Sequence, residues 1–155
     1  MKPLIIYYTF SGRTKRVAKI IGEALSEYNP SYFSVEIKGK FGMMDALEKG
    51  DYSSIEDGLN SLQSMDFDTI IIGMPTWGNR PPKVFNEILA RLPGIDGKRA
   101  FVFTTSIFSG GGTLKYMKEK VEEKGPDFIS ERKFRAAFWI RKANVVKFAS
   151  EIIGA

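Results

Sequence analysis

The chain has 155 residues, a length that suits one domain built around one hydrophobic core. It contains no cysteine and no histidine, which excludes disulfides, thiolate nucleophiles, Cys-based metal sites and imidazole catalysis. The 23 Lys and Arg residues outnumber the 18 Asp and Glu residues and give a net charge of +5. Chemistry in such a chain comes from carboxylates, hydroxyls or a bound cofactor.

Short apolar runs mark the predicted strands. Residues 4–8, 69–74 and 100–104 lack polar alternation, which is typical of parallel strands covered by helices on both faces. The alternating segment 32–37 predicts a strand nearer an edge. An apolar cluster in residues 134–140 predicts a fifth strand.

Helical patterns separate these runs. Four segments place apolar residues at helical spacing: 14–28, 82–92, 113–124 and 142–153. Residues 38–66 are less regular and predict a loop followed by a helix near 55–65. In that loop we expect Phe41, Met43 and Met44 to pack into the core rather than to form an apolar lip.

The alternation of strands and helices predicts an α/β fold, a three-layer doubly wound sandwich with a five-stranded parallel sheet. Residues 1–155 are predicted to form a single domain. Folds of this class bind ligands beyond the carboxyl ends of their strands. The loops after the first, third and fourth predicted strands are therefore the candidate binding regions.

The loop after the first strand combines hydroxyls, a glycine and a helix start. Its sequence is Thr9-Phe10-Ser11-Gly12-Arg13-Thr14. Hydroxyls and the unpaired backbone N–H groups of a helix start donate to phosphate oxygens, and glycine lets the backbone come close. These residues indicate a phosphate site. An ordinary helix N-cap at Ser11 or Thr14 explains them equally well.

The loop after the third strand carries a tryptophan among prolines and glycines, in the run Pro75-Thr76-Trp77-Gly78-Asn79. Such an aromatic residue indicates a ligand contact, or else a side chain folded over the core. The loop after the fourth strand, 105–112, ends in three glycines. They suit close approach to a flat ligand, unusual torsions, or a flexible tip.

Taken together, these loops resemble those of the flavodoxin family. The family's phosphate loop has the pattern Ser/Thr-x-Ser/Thr-Gly-x-Thr, which residues 9–14 match. Its next flavin loop carries Thr-Trp-Gly, matched by Thr76-Trp77-Gly78. The resemblance covers nearly the whole chain and implies strand order 2-1-3-4-5, one non-covalent FMN, and no catalytic side chain or metal.

The resemblance also implies roles for individual residues. Residues 9–14 would hold the FMN phosphate, Trp77 would lie against the isoalloxazine ring, and Gly78 would offer its carbonyl to flavin N5 when that atom is protonated. Residues 105–112 would cover the other ring face and its polar edge. The cofactor-binding residues implied in this way are Thr9, Phe10, Ser11, Gly12, Arg13, Thr14, Pro75, Thr76, Trp77, Gly78, Asn79, Thr105, Ser106, Phe108, Gly110, Gly111 and Gly112.

The chain departs from well-known flavodoxins in charge. Asn79 stands where an acidic residue is common, Arg80 and Lys83 follow it, and the last loop has Phe108 and glycines in place of tyrosine and acidic residues. Anionic surroundings oppose formation of the anionic reduced flavin. The neutral and cationic residues here therefore predict a less negative potential for the last reduction step.

Two functions are consistent with this pattern. An FMN electron carrier between redox proteins needs no catalytic side chain, and the basic charge predicts a partner with an acidic face. An FMN-dependent NAD(P)H:quinone or flavin oxidoreductase would use an open ring face lined by glycine. Turnover of a nicotinamide substrate distinguishes the two.

Other functions on the same architecture are excluded. A phospho-acceptor receiver needs acidic residues where Thr9, Met74 and Pro75 stand, and a low-molecular-weight tyrosine phosphatase needs cysteine. No nucleic-acid partner is expected, because the aromatic residues are not interleaved with a basic stripe.

The sequence shows no signal peptide and no apolar stretch long enough to span a bilayer, so we expect a cytoplasmic protein without a membrane span.

Overall fold

The five strands form one parallel sheet. The structure is a computed structural model that describes residues 1–109 and 111–155. The strands are β1 (Pro3–Thr9), β2 (Ser31–Glu36), β3 (Thr69–Pro75), β4 (Arg99–Ser106) and β5 (Asp127–Arg135). Their order is β2-β1-β3-β4-β5, which confirms the predicted fold class and strand order.

Helices cover both faces of the sheet. They are α1 (Arg13–Ala24), α2 (Phe41–Glu48), α3 (Glu56–Ser61), α4 (Val84–Arg91), α5 (Thr113–Glu122) and α6 (Lys142–Gly154), with 3₁₀ turns at Ser26–Tyr28, Ser53–Ile55 and Leu62–Ser64. On one face α1 and α6 pack on the sheet, and on the other α2 to α5 do. Because both faces are covered, every residue of β1 is buried, as its unbroken apolar run predicts.

The fifth strand lies earlier in the chain than the sequence predicts. The predicted segment 134–140 contributes only Phe134 and Arg135 to β5. Phe138 and Trp139, expected in this strand, lie beyond its end and are 92% and 72% exposed. β5 is an edge strand that contains several exposed charged residues, and this polarity masks it in the sequence.

The segment after β2 also differs from expectation. Instead of a loop it forms α2, whose short apolar start contains a glycine and hides the helical pattern. Met43 and Met44 pack against the core as predicted. The expectation for Phe41 is wrong, because its side chain is 63% exposed and its ring lies 5.7 Å from that of Phe10.

Two further boundaries bear on the site. The helix predicted at 14–28 ends at Ala24 and continues as a 3₁₀ turn, and the helix predicted near 55–65 is α3 with its following turn.

Within the described part of the chain, no helix is both long and apolar enough to cross a membrane.

Candidate functional site

Three loops meet in one pocket at the carboxyl edge of the sheet. Because β1, β3 and β4 are neighbouring parallel strands, the loops that follow them start side by side. They enclose a pocket of about 280 Å³ lined by Phe10, Ser11, Arg13, Pro75, Thr76, Trp77, Thr105, Ser106 and Ile107. Among these lining residues Arg13 is the charged one, so the pocket favours an anion.

The loop after β1 is shaped by Gly12. This residue is the N-cap of α1 in the left-handed conformation, with φ of 88°, and no side chain of the described residues caps the helix. Neither Ser11 nor Thr14 is therefore the ordinary cap that the sequence left open. The N–H groups of the first turn lack partners within the helix and carry partial positive charge, so the loop presents donors to an anion.

Two hydrogen bonds of threonine hydroxyls hold this loop in place. The Gly12 N–H donates to Thr9 Oγ1 at 3.0 Å, and the buried hydroxyls of Thr14 and Thr105 share a hydrogen bond of 2.8 Å. Thr9 and Thr14 thus use their hydroxyls within the protein, while Ser11 and Arg13 line the pocket. The assignment of the FMN phosphate to residues 9–14 stays a prediction.

The loop after β3 is a tight turn that carries Trp77. The N–H of Trp77 donates to the Arg80 carbonyl at 2.9 Å, and the Arg80 N–H donates back at 3.2 Å. Gly78 sits at the first corner with φ of 62°, where a side chain is disfavoured. This turn holds the indole at the mouth of the pocket.

The Trp77 ring is half-buried and rests on two other aromatic rings. It meets Tyr8 edge to face at a centroid distance of 5.3 Å and Phe10 at 6.5 Å. The ring covers the core below it and lines the pocket above it, so the side chain is folded over the core, and the ligand contact stays a prediction. Its orientation is fixed by packing before any ligand binds.

The loop after β4 packs against the tryptophan turn. Gly111 has φ of 47°, and a Cβ added there would lie 1.9 Å from Asn79 Oδ1. The close approach that the glycines indicated is thus to the neighbouring loop. Phe108 is 77% exposed and does not line the pocket, whereas Ile107 does. Gly112 precedes α5, and Gly110 lies outside the described residues.

A fixed carboxylate lies near the loop after β1 and the start of α1. Glu36 accepts hydrogen bonds from Lys15 Nζ at 2.6 Å and from the Tyr7 hydroxyl at 2.8 Å. The Lys15 ammonium lowers the pKa of Glu36 below its ordinary value. The pKa of Tyr7 is raised to about 12, mainly by burial of its hydroxyl and secondly by its hydrogen bond to Glu36. Since Lys15 neutralises Glu36, Arg13 keeps the loop cationic.

Sequence reasoning missed several residues around the site. A second cavity of about 200 Å³ joins Ser11, Gly12 and Arg13 to Arg16 and to the segment after β5, through Ala136, Phe138, Trp139 and Ile140. Arg16 could have been found, because it lies one helical turn beyond Gly12. Ile107 lies within the predicted stretch 105–112 but was not singled out, and the segment after β5 carries no motif, so that only the folded chain brings it to the loop.

Comparison with known proteins identifies the fold. No family model and no curated protein matches this chain. Among solved structures, oxidised flavodoxin 1 from Bacillus cereus is 22% identical, with 99% of this chain and 98% of that chain covered and a TM-score of 0.64. Two-electron reduced flavodoxin from Megasphaera elsdenii is 17% identical, with 99% of each chain covered and a TM-score of 0.62.

A flavoprotein from Lactobacillus acidophilus, solved in complex with FMN, is 20% identical. The match covers 85% of this chain and 92% of that protein, and its TM-score is 0.56. These likenesses establish that the chain has the flavodoxin-like fold.

Proposed function

We propose that this protein binds one FMN non-covalently and carries electrons between redox proteins. The observation that carries the proposal is the pocket that joins the loops after β1, β3 and β4. It lies where folds of this class bind ligands, and structural neighbours of the chain include flavodoxins and a protein solved with FMN.

The residues of the pocket fit the phosphate of FMN. At Gly12 the space around an added Cβ is open to 4 Å, so the backbone is accessible there. The free N–H groups at the start of α1, the Ser11 hydroxyl and Arg13 supply donors. Arg13 also donates to Ser11 Oγ at 3.1 Å, which orients both side chains along the loop.

The residues of the pocket also fit a flat ring. Bound FMN would supply one- and two-electron redox chemistry that the side chains lack. Trp77 and Ile107 offer apolar surfaces from different loops. Gly78 is exposed at the corner of its turn, so its peptide can reorient at little steric cost and present its carbonyl to the ring.

Reconstitution tests this proposal. The purified protein is mixed with FMN and desalted, and its visible absorption is recorded. We expect retained flavin bands at one FMN per chain, and oxidation of the reduced protein by a redox protein without turnover of NADH or NADPH. Failure to retain FMN would refute the cofactor, and the function with it.

One observation favours the second candidate, an FMN-dependent NAD(P)H:quinone or flavin oxidoreductase. Phe108 is 77% exposed and is not among the residues that line the pocket, so this aromatic residue leaves room for a second planar ring. Steady oxidation of NADH or NADPH by the FMN-loaded protein, with a quinone or free flavin as acceptor, would establish this function in place of the carrier.

A further inference from the structure

Two aromatic side chains stand exposed in the segment after β5. Phe138 is 92% exposed and Trp139 is 72% exposed, with ring centroids 6.3 Å apart. Large aromatic side chains are rarely left in water together, and exposed apolar clusters mark interaction sites. Neither ring is needed to close the core, because β5 ends before them at Arg135.

The exposed rings are surrounded by positive charge. Together with Lys133, Arg135 and Arg141 they line a cavity of about 540 Å³ with no carboxylate among its described lining residues. We call these five residues the β5 patch. Arg141 is the N-cap of α6, whose first turn holds no acidic residue. The helix start therefore adds partial positive charge to that of the side chains.

The β5 patch borders the candidate cofactor site on two sides. Phe138 and Trp139 also line the smaller cavity that contains Ser11, Gly12 and Arg13 of the phosphate loop. On the other side, Lys133 Nζ donates to the Ser109 carbonyl in the loop after β4. A molecule docked on the patch would lie next to two of the three loops that are proposed to hold FMN.

We infer that the β5 patch is the docking surface for an acidic redox protein, an inference that rests on the proposed function. The charge of the patch is complementary to a surface of carboxylates, which would steer the encounter. Tryptophan and arginine are the side chains that dominate binding energy at protein interfaces. Electron-transfer encounters also need only a small contact area, which suits a patch built from one segment and one strand end.

The geometry favours a protein over nucleic acid. A single-stranded nucleic acid needs a groove that tracks its backbone and aromatic rings for successive bases. Here the two rings are neighbours in sequence and tilted by 45° to each other. They therefore form one compact contact point and not a row of rings on which successive bases could stack. Their position beside the loop proposed to hold the FMN phosphate favours a redox protein over a lipid surface.

The test uses the FMN-loaded protein and an acidic [2Fe–2S] ferredoxin as the probe. Binding of oxidised ferredoxin is measured by calorimetry, and electron transfer from reduced ferredoxin is followed by stopped flow at low and high salt. We expect binding and a rate constant that falls as salt rises. Arg141→Glu and Trp139→Ala should each weaken binding about tenfold at low salt.

Lys124→Glu is the matched control, because Lys124 is an exposed cation beyond the far end of α5 and its reversal changes the net charge equally. It should bind ferredoxin as the unmodified protein does. Arg141→Glu should keep its fold, since a carboxylate is favourable at a helix start. Equal weakening by Lys124→Glu, or no weakening by Arg141→Glu and Trp139→Ala, would overturn the inference.

The remaining outcomes separate this inference from the proposed function. Loss of FMN on desalting, with ferredoxin binding intact and sensitive to Trp139→Ala, would contradict the proposed function and support the docking surface. Binding of oligothymidylate or of phosphatidylserine vesicles that is lost in Trp139→Ala, with no ferredoxin binding, would overturn the docking surface and leave FMN binding in place.

Discussion

The conformation of Gly12 determines whether the start of α1 faces the pocket. With φ of 88° the residue turns the chain from β1 into the helix without a side-chain cap. Only glycine adopts this region at low cost. The same conformation leaves the first N–H groups of α1 directed outward, where they are available to a phosphate.

Gly12→Ala should therefore impair FMN binding as well as stability. The left-handed conformation costs an alanine about 1 kcal/mol, and the added methyl group would fill the open space beside the proposed phosphate. Gly39→Ala is the control, because Gly39 also has positive φ, 72°, and open space around an added Cβ. Urea unfolding should show similar losses for both variants, whereas calorimetry should show weaker FMN binding only for Gly12→Ala. Equal FMN affinity in the two variants would contradict the phosphate assignment.

Tyr7 and Tyr8 are neighbours on β1 whose hydroxyls differ in hydrogen bonding. The Tyr7 hydroxyl donates to Glu36 at 2.8 Å, while the buried Tyr8 hydroxyl has no hydrogen-bond partner among the described residues. A satisfied hydrogen bond contributes about 1 kcal/mol, and a buried unsatisfied polar group is costly.

Tyr7→Phe should lower the free energy of unfolding by about 1 kcal/mol. Tyr8→Phe should leave it unchanged or raise it, because the substitution removes a hydroxyl that makes no hydrogen bond. Urea denaturation at neutral pH compares the two variants directly. A larger loss for Tyr8→Phe than for Tyr7→Phe would show that the Tyr8 hydroxyl has a partner in solution.

Among the elements, those buried on both faces were predicted to within about two residues. β1, β3 and β4 have continuous apolar runs that none of the other described elements has. β5 could not be placed in this way, because its charged residues mask an edge strand and the apolar residues that follow it are exposed. Which residues of an edge strand are buried depends on the elements that pack against it in space, and the local sequence pattern carries no information about them.

Much of the candidate site was predictable from the parallel order of the strands. Parallel strands bring their carboxyl ends together, so residues 9–14 and 75–79 could be joined from the sequence alone. Ile107 was not singled out and the segment after β5 was missed, because their approach to the loops of the site depends on the course of the folded chain. The pairing of Gly111 with Asn79 was hidden for the same reason.

The attachment of α6 to the sheet depends on Phe148. This buried ring lies 6.2 Å from Phe101 of β4 and 6.0 Å from Phe134 of β5. Phe148→Leu should lower the free energy of unfolding by roughly 1–2 kcal/mol, since part of the cluster is left unfilled. Val146→Ala, at a 40% exposed position of the same helix, should change it by less than about 0.5 kcal/mol. Equal losses in urea unfolding would show that the cluster does not hold the helix.

At the scale of the whole molecule, the excess of positive charge distinguishes this chain from acidic flavodoxins. The net charge is +5, and Arg80 and Lys83 follow the tryptophan turn. The fold also brings an acidic residue to them, because the Lys83 N–H donates to Glu48 at 3.1 Å. Arg80 lies over the Tyr116 ring at 5.2 Å and stays at the surface near the pocket.

Arg80→Glu should make the potential of the last FMN reduction step more negative. An exposed charge acts through water, so the shift should be below about 60 mV, a tenfold change in a one-electron equilibrium. Anaerobic redox titration of the FMN-loaded protein measures it, with Lys124→Glu as the charge-matched control. A shift of equal size in both variants, or an unmodified protein as low in potential as acidic flavodoxins, would contradict this electrostatic account.

The central claim is that the loops after β1, β3 and β4 bind one FMN with its phosphate at the start of α1. Calorimetric titration with FMN and with riboflavin, which lacks the phosphate, tests it most directly. Hydrogen bonds to a charged group contribute about 1.5–3 kcal/mol each. We predict one FMN per chain, bound roughly a hundredfold more tightly than riboflavin. Equal affinity for the two flavins, or no binding of FMN, would contradict the claim.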